Sequence, residues 1–370
     1  MKIALAKEIK KEEYRVGLTP LSAKEYITAG HTVMVESGAG FGSGFSDDEY
    51  KAQGCQLTDN KKKLFDEADM VIKVKEPIEA EYELFHEGQI LYTYLHLAAD
   101  LKQTKALLSK KVKAVAYETV MEKDGSLPLL IPMSQIAGRL SVQEGAKYLE
   151  KSCGGRGILL GGVPGIRKGT VLIIGGGISG TNACKIAIGM GADVTIMDVS
   201  AKRLSELDDI FDNSIKTMYS NSYNIDEMIR VADLIIGAVL IPGAAAPKVI
   251  KKEDLKKMKK GSVIVDIAVD QGGCTETTRP TDHNNPTYII DGVVHYCVAN
   301  MPGAVSLSST YALTSVTNRY GLMIANMGLE EAVAQSGAIL SGINCYKGHL
   351  TNKPVAEAHG LKYEAYSGKL

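Results

Sequence analysis

The run Val171-Leu172-Ile173-Ile174 passes directly into Gly175-Gly176-Gly177-Ile178-Ser179-Gly180, and a helix-compatible stretch from Thr181 to Met190 follows. Residues of these types at this spacing suit a pyrophosphate. Gly175 permits a tight turn, Gly177 lets backbone N–H groups meet the anion, and Gly180 lets the helix pack on the strand, while the helix N-terminus adds partial positive charge. Asp198 stands 23 residues after Gly175 at the tip of the next apolar run. A carboxylate there accepts hydrogen bonds from both ribose hydroxyls of an adenosine and repels a 2′-phosphate, so NAD is expected over NADP, with Lys202 and Arg203 nearby to temper that preference. Val239 and Leu240, and Ile267 to Asp270, follow two later strand-like runs and should line the same carboxyl edge.

A second set of ionisable residues lies in the first third of the chain, each just after a strand-like run. Arg15 stands in Tyr14-Arg15-Val16, Lys75 in Val74-Lys75-Glu76-Pro77, and His96 in Tyr94-Leu95-His96-Leu97. Singly, each has an ordinary explanation as a surface charge or a structural imidazole. The ends of strands in an α/β sheet are where ligands bind, which gives the three a joint chemical reading. Two cations can hold a carboxylate, and an imidazole titrating near neutrality can move protons.

The elements that must carry these groups alternate from the start. Lys2 to Lys7, Thr32 to Glu36, Met70 to Lys75, Gln89 to Leu95 and Lys113 to Glu118 read as strands. Ser22 to Ala29, Asp47 to Gln53, Lys61 to Glu67 and Asp100 to Ser109 read as intervening helices, a pattern of right-handed βαβ units and a parallel sheet. A second series starts near Thr170, with strands at Val171 to Ile174, Asp193 to Met197, Leu234 to Gly237 and Val263 to Ile267. Between the series, Ser134 to Glu150 has helical periodicity and ends in the glycine-rich Cys153 to Gly162. Pro302 to Met327 is helix-compatible, and the residues after it are too few for a third domain, so the tail should return to the first.

Composition narrows the partners. The chain has 370 residues, 42 Lys plus Arg against 43 Asp plus Glu, and 45% hydrophobic residues, which fits a globular protein of two or three domains and removes any whole-chain electrostatic case for nucleic acid or an anionic membrane. The six cysteines are scattered with no CxxC, so no metal site is expected and reduced thiols in a cytoplasmic location fit best. The longest apolar run, Leu234 to Pro247, is 14 residues broken by Pro242 and Gly243, short of the roughly 20 needed to span a bilayer. The lysine-rich Lys251 to Lys260 reads as a solvated helix face.

Longer blocks add to these groups: Arg15-Val16-Gly17-Leu18-Thr19-Pro20, Val74-Lys75-Glu76-Pro77, Tyr94-Leu95-His96-Leu97-Ala98, Pro132-Met133-Ser134, and Gly161-Gly162-Val163-Pro164-Gly165. The glycine turn, Val265 to Gly273, and Val298-Ala299-Asn300-Met301-Pro302-Gly303-Ala304 continue the series. In this order, over nearly the whole chain, they resemble the alanine dehydrogenases. Departures are few: Gly17, Gln135, and Ser315 to Arg319, none of which removes a group with an assigned role.

The resemblance implies NAD-dependent, reversible oxidative deamination of L-alanine to pyruvate and ammonium. It implies two Rossmann-like α/β domains with parallel sheets and a cleft between them, residues 1–133 and 305–370 forming a discontinuous substrate domain and 134–304 the NAD-binding domain. Arg15 and Lys75 would hold the substrate carboxylate and carbonyl, His96 and Asp270 would do proton work, Tyr94 and Met133 would limit pocket size, and Asn300 would join the substrate site. Expected cofactor contacts are Ser134, Gly175, Gly177, Ile178, Gly180, Asp198, Arg203, Ser220, Val239, Leu240, Ile267, Asp270 and Met301. Asp270 has a second reading, as a ligand of the nicotinamide ribose or a helix cap. A homohexamer is also implied. Two competing readings are the NAD(H)-binding component of a proton-translocating transhydrogenase, which would have no use for an amino-acid pocket, and a saccharopine-type dehydrogenase, which would require a larger one.

Overall fold

The computed structural model of the chain describes residues 1–239 and 246–368. It divides into two compact units, Met1–Met133 with Val305–Leu370, and Ser134–Ala304. The first unit opens with six strands: β1 (Lys2–Leu5), β2 (Thr32–Glu36), β3 (Gln56–Thr58), β4 (Met70–Ile72), β5 (Ile90–Thr93) and β6 (Lys113–Ala116). They are parallel in the order 6-5-4-1-2-3. The strands β4 and β5 are buried throughout, as an apolar run covered on both faces requires. Helices are started by local chemistry: Thr19 caps Pro20–Thr28 by accepting from the Ser22 N–H with proline in the first turn, and Ser46 with Glu49 forms a capping box on Asp47–Ala52.

Helix Ile131–Tyr148 leads into the second unit. This contains β7 (Thr170–Ile174), β8 (Asp193–Asp198), β9 (Lys216–Tyr219), β10 (Leu234–Gly237), β11 (Val263–Asp266), β12 (Thr287–Ile290) and β13 (Val293–Tyr296), in the order 12-13-11-10-7-8-9. Strand β12 alone is antiparallel, joined to β13 by Asp291-Gly292 with φ of 49° and 80°, the two positive values that a tight hairpin turn of this twist needs. The chain then returns through the 22-residue helix Ser306–Met327 to the first unit, where β14 (Ile343–Tyr346) pairs antiparallel with β6 and β15 (His349–Leu350) pairs antiparallel with β14.

Both sheets are therefore doubly wound, with the chain reversing direction between β1 and β4 in the first and between β7 and β10 in the second. Loops leaving the carboxyl ends of those strands diverge and leave a crevice, which is where such sheets bind ligands. The sheets are mostly parallel, as expected, with antiparallel strands added at one edge of each. At one edge of the second sheet a hairpin adds the antiparallel β12, and at one edge of the first the returning C-terminal segment lays β14 antiparallel on β6 and turns through a hairpin into β15. The helix expected from Ser134 begins at Ile131, and the one expected from Pro302 begins at Ser306 behind a 3-10 turn at Met301–Val305. Among the described residues no helix is long and apolar enough to cross a membrane, and no group of acidic, His and Cys side chains could hold a metal.

Candidate active site

In the second unit the glycine turn does what its spacing suggests. The backbone leaves β7 at Gly175 with φ 103°, and helix Ile178–Gly189 starts immediately after Gly177. Among the described residues, the N–H groups of Gly177, Ile178 and Ser179 have no hydrogen-bond partner. They border a cavity of about 550 Å³ lined by Ser134, Gly175, Gly177, Ile178, Ser179, Met197, Asp198, Val199, Ser220, Ala238, Val239, Pro247 and Val249. The cavity thus gathers glycine-turn donors, the acid at the tip of β8, Ser220 beyond β9, and the residues that follow β10. An anion-binding turn with a carboxylate at the far wall fits a dinucleotide whose pyrophosphate sits on the helix N-terminus.

Asp198 has a second task. Its Oδ2 accepts from the Gly176 N–H at 2.7 Å and its Oδ1 from the Ser200 N–H at 2.9 Å, so the acid also fixes the turn. Arg203 stands behind the turn. Its Nε donates to the Gly176 carbonyl at 2.7 Å, one terminal nitrogen donates to Thr181 Oγ1 at 2.8 Å, and the other pairs with Glu206 at 2.7 Å. Gly180 also lies behind the cavity wall, where a Cβ would come within 1.8 Å of the Gly175 carbonyl oxygen. Leu240 lies outside the described residues. Ile267, Asp270, Asn300 and Met301 are not part of this cavity's lining.

Asp270 is exposed on the 3-10 turn Val269–Gln271 that follows β11. The loop is held by Asp266, which sequence reading passed over. This buried carboxylate accepts from Ala268 N–H at 3.1 Å, Cys274 N–H at 2.8 Å and Thr278 Oγ1 at 2.6 Å. Burial raises its pKa, against those hydrogen bonds. From the other side, Lys248 donates to the Gly272 and Thr275 carbonyls. Asn300 follows β13, its carbonyl accepting from His283 Nε2 at 3.0 Å, and Met301 is buried.

In the first unit the cationic residues leave adjacent strands of the reversal point. Arg15 is 3% exposed and is gripped by Glu13, with Nε on Oε1 at 2.7 Å and a terminal nitrogen on Oε2 at 2.6 Å. Its other terminal nitrogen reaches Met133 Sδ at 3.1 Å. Burial by itself would lower the arginine pKa, but the hydrogen bonds and charge of Glu13 raise it. Lys75 lies in the exit from β4. Among the described residues its ammonium has neither hydrogen bond nor ion pair, and burial followed by the charge of Arg15 lowers its pKa. Glu76 is held below its ordinary value because Lys75, Lys10 and His96 together outweigh its burial.

His96 is exposed after β5, in the left-handed region at φ 49°, ψ 36°. A non-glycine residue is rarely found there, and Glu118 secures it by accepting from the Leu95 and His96 N–H groups, the latter at 2.6 Å. The imidazole stacks on Tyr94, whose hydroxyl donates to the Leu129 carbonyl at 2.5 Å. The first unit thus brings Arg15, Met133 and Lys75 into one electrostatic neighbourhood and pairs Tyr94 with His96. The carboxylates that organise them, Glu13 and Glu118, were missed by sequence reading. The spacing Glu13-x-Arg15 was the available signal, since i and i+2 residues of an extended segment share a face.

Family models for the alanine dehydrogenase/PNT N-terminal domain and C-terminal domain match residues 4–137 and 141–353. The chain is 56% identical to an alanine dehydrogenase of Methanococcus maripaludis over 98% of both chains, and 56% identical to alanine dehydrogenase 2 of Staphylococcus aureus over 99% of this chain and 98% of that one. A solved L-alanine dehydrogenase superposes with a TM-score of 0.95 at 49% identity, covering 97% of this chain and 99% of the other. A transhydrogenase from Sinorhizobium meliloti shares the fold, with a TM-score of 0.82 at 22% identity over 95% of this chain and 99% of that one. With the two family models covering both units, the chain belongs to the alanine dehydrogenase/PNT family.

Proposed function

We propose that the protein is an NAD-dependent L-alanine dehydrogenase that reversibly converts L-alanine to pyruvate and ammonium, with the unit of residues 1–133 and 305–370 taking substrate and the unit of residues 134–304 taking NAD. The observation that carries the reading is Lys75: a largely buried ammonium with no partner among the described residues, beside an arginine already oriented by Glu13. Such a cation is costly to bury and is compensated by an anionic ligand. A module that only exchanges hydride between nucleotides has no use for it. NAD, when bound, accepts the hydride from Cα of alanine.

Arg15 and Lys75 hold the substrate carboxylate, and Lys75 also stabilises oxygen at C2 as water adds to the imine. His96 takes and returns the protons that this addition moves, with Tyr94 keeping its ring in one plane. Met133, held against Arg15, and Tyr94, tied to Leu129, restrict the space beyond Cα to a small side chain. Asp270, on the nucleotide-binding unit, assists proton transfer, and Asn300 contributes to substrate binding. Ser134, Gly175, Gly177, Ile178, Asp198, Ser220 and Val239 contact NAD directly, Leu240, Ile267 and Met301 extend that surface, and Gly180 and Arg203 shape the turn. The assembly is a cytoplasmic homohexamer. The test is NADH oxidation followed by absorbance with pyruvate plus ammonium, and again with glyoxylate, 2-oxobutyrate and 2-oxoglutarate. Turnover is expected with pyruvate and falls with the longer acids; no turnover with any small 2-oxo acid would reject the proposal.

A further inference from the structure

The exit from β4 contains two lysines of opposite character. Lys75 has an ammonium without a partner among the described residues, whereas Lys73 is 0% exposed and lies between two buried carboxylates, 3.3 Å from Glu8 Oε2 and 2.9 Å from Glu81 Oε1. Glu8 and Glu81 side chains are 3% and 1% exposed. A buried ion triad of this kind is a poor source of stability, because desolvation of the charges opposes their attraction. Its geometry gives it another role.

Both carboxylates use their remaining oxygen on the backbone that carries Lys75. Glu8 Oε1 accepts from the Val74 N–H at 2.6 Å and from the Lys75 N–H at 3.3 Å, and Glu81 Oε2 accepts from the Ile78 N–H at 3.2 Å. The neighbouring groups are also satisfied. Tyr117 donates to the Lys73 carbonyl at 3.1 Å, Tyr94 N–H to the Val74 carbonyl at 3.2 Å, and Thr93 Oγ1 to the Lys75 carbonyl at 3.0 Å. Past the end of the strand ladder, the N–H groups flanking Lys75 therefore depend on Glu8 alone. Among the described residues Glu8 Oε2 has no hydrogen-bond partner, and Lys73 is the cation that faces it at 3.3 Å.

We propose that Glu8, paired with Lys73, is a positioning residue that fixes the Val74–Lys75 backbone and so aims the Lys75 ammonium at the substrate. The role rests on the substrate-binding function proposed for Lys75. Lys61 stands 3.4 Å from Glu81 and compensates that acid separately, so Lys73 can be neutralised if Glu8 is neutralised with it.

The experiment compares two charge-balanced pairs in the full chain. Lys73→Met with Glu8→Gln retains a carbonyl acceptor for the two N–H groups. Lys73→Met with Glu8→Leu removes the acceptor at similar volume. With thermal unfolding and NADH affinity by fluorescence measured on both, the Leu pair should have kcat/KM for pyruvate lower than the Gln pair by about 10- to 100-fold, the effect of roughly an ångström of misplacement. Introduced with Lys75→Ala, the same two pairs should differ by less than about 3-fold, because nothing is left to aim. Equal kcat/KM in the two pairs while Lys75→Ala is impaired would overturn the positioning role alone. Wild-type kcat/KM in Lys75→Ala would overturn the function of Lys75 on which it rests. If either pair fails to fold, Glu8→Gln against Glu8→Asp in the otherwise native chain gives the same comparison, the shorter acid being unable to reach both N–H groups and expected to lose more kcat/KM.

Discussion

The three glycines of the nucleotide turn have three different reasons to be glycine, and alanine substitution separates them. At Gly177 φ is −67° and a Cβ would meet nothing within 4 Å. Replacing glycine there loses some N-cap preference and gains from a stiffer unfolded chain, terms of opposite sign that leave stability within about 0.5 kcal/mol of the original. The added methyl would nevertheless take up open space at the cavity that Gly177, Ile178 and Ser179 line, and is expected to hold a phosphate away from their N–H groups. The loss of one charge-assisted hydrogen bond, about 1.5–3 kcal/mol, weakens NADH roughly 10- to 100-fold. At Gly180 the methyl would sit 1.8 Å from the Gly175 carbonyl oxygen, a backbone atom that cannot move aside alone. Overpacking there costs about 1–3 kcal/mol or more, and binding is lost together with stability. Gly175 combines both difficulties, a φ of 103° and a Cβ 2.7 Å from the Ala238 carbonyl. NADH fluorescence titration with thermal unfolding of each variant separates the cases. Wild-type NADH affinity in Gly177→Ala, or wild-type stability in Gly180→Ala, would refute the reasoning.

Three further outcomes are expected. Asp198→Ala should narrow the preference for NAD over NADP, measured as the ratio of kcat/KM, by about 1.5–3 kcal/mol per hydrogen bond lost to the ribose; equal use of both cofactors by the unmodified protein contradicts it. His96→Ala should reduce turnover by about 10²- to 10⁴-fold with NADH affinity retained, and Asp270→Asn should do the same if the acid moves protons, whereas loss of NADH affinity with surviving turnover would reassign Asp270 to the ribose. Pyruvate affinity should decline on the alkaline side at a pH below the ordinary lysine value of 10.5, because a lowered pKa makes Lys75 release its proton sooner and the neutral amine no longer attracts the carboxylate. In Lys75→Met that decline should vanish, and its persistence would assign the ionisation elsewhere.

What the sequence made legible were features written in contiguous residues. The strand, glycine turn, helix and terminal acid from Val171 to Asp198 form one βαβ unit, so composition and order specify its geometry directly. Lys75 and His96 were legible because each stands just past a run of buried β residues, whereas Arg15 lies in the longer loop after β1. The edge strands were less visible. β9 is only partly buried, and β15 is two residues long, so neither shows a hydrophobic period. The β12–β13 hairpin was marked by Asp291-Gly292 between two β-rich runs and was missed because a parallel sheet was assumed. Glu8, Glu13, Glu118 and Asp266 look like ordinary surface acids in sequence. Their burial, and the N–H groups or guanidinium they accept from, arise only when loops from different strands converge.

The antiparallel pairing of β14 with β6 joins segments separated by more than half the chain: Val115 lies opposite Ile343 and Ala114 opposite Cys345. During synthesis, the whole of Ser134–Ala304 emerges between the two partners, and it is contiguous and can close its own core first. At about 5–20 residues per second, β6 waits roughly 11–45 s for its neighbour. Throughout that interval an edge strand with three buried apolar residues stands open to any other extended segment, including the β14 of a neighbouring nascent chain. The last-made residues thus control when the first-made domain becomes complete, and conditions that slow translation beyond Ala304 should lengthen the period in which chaperones recognise the protein.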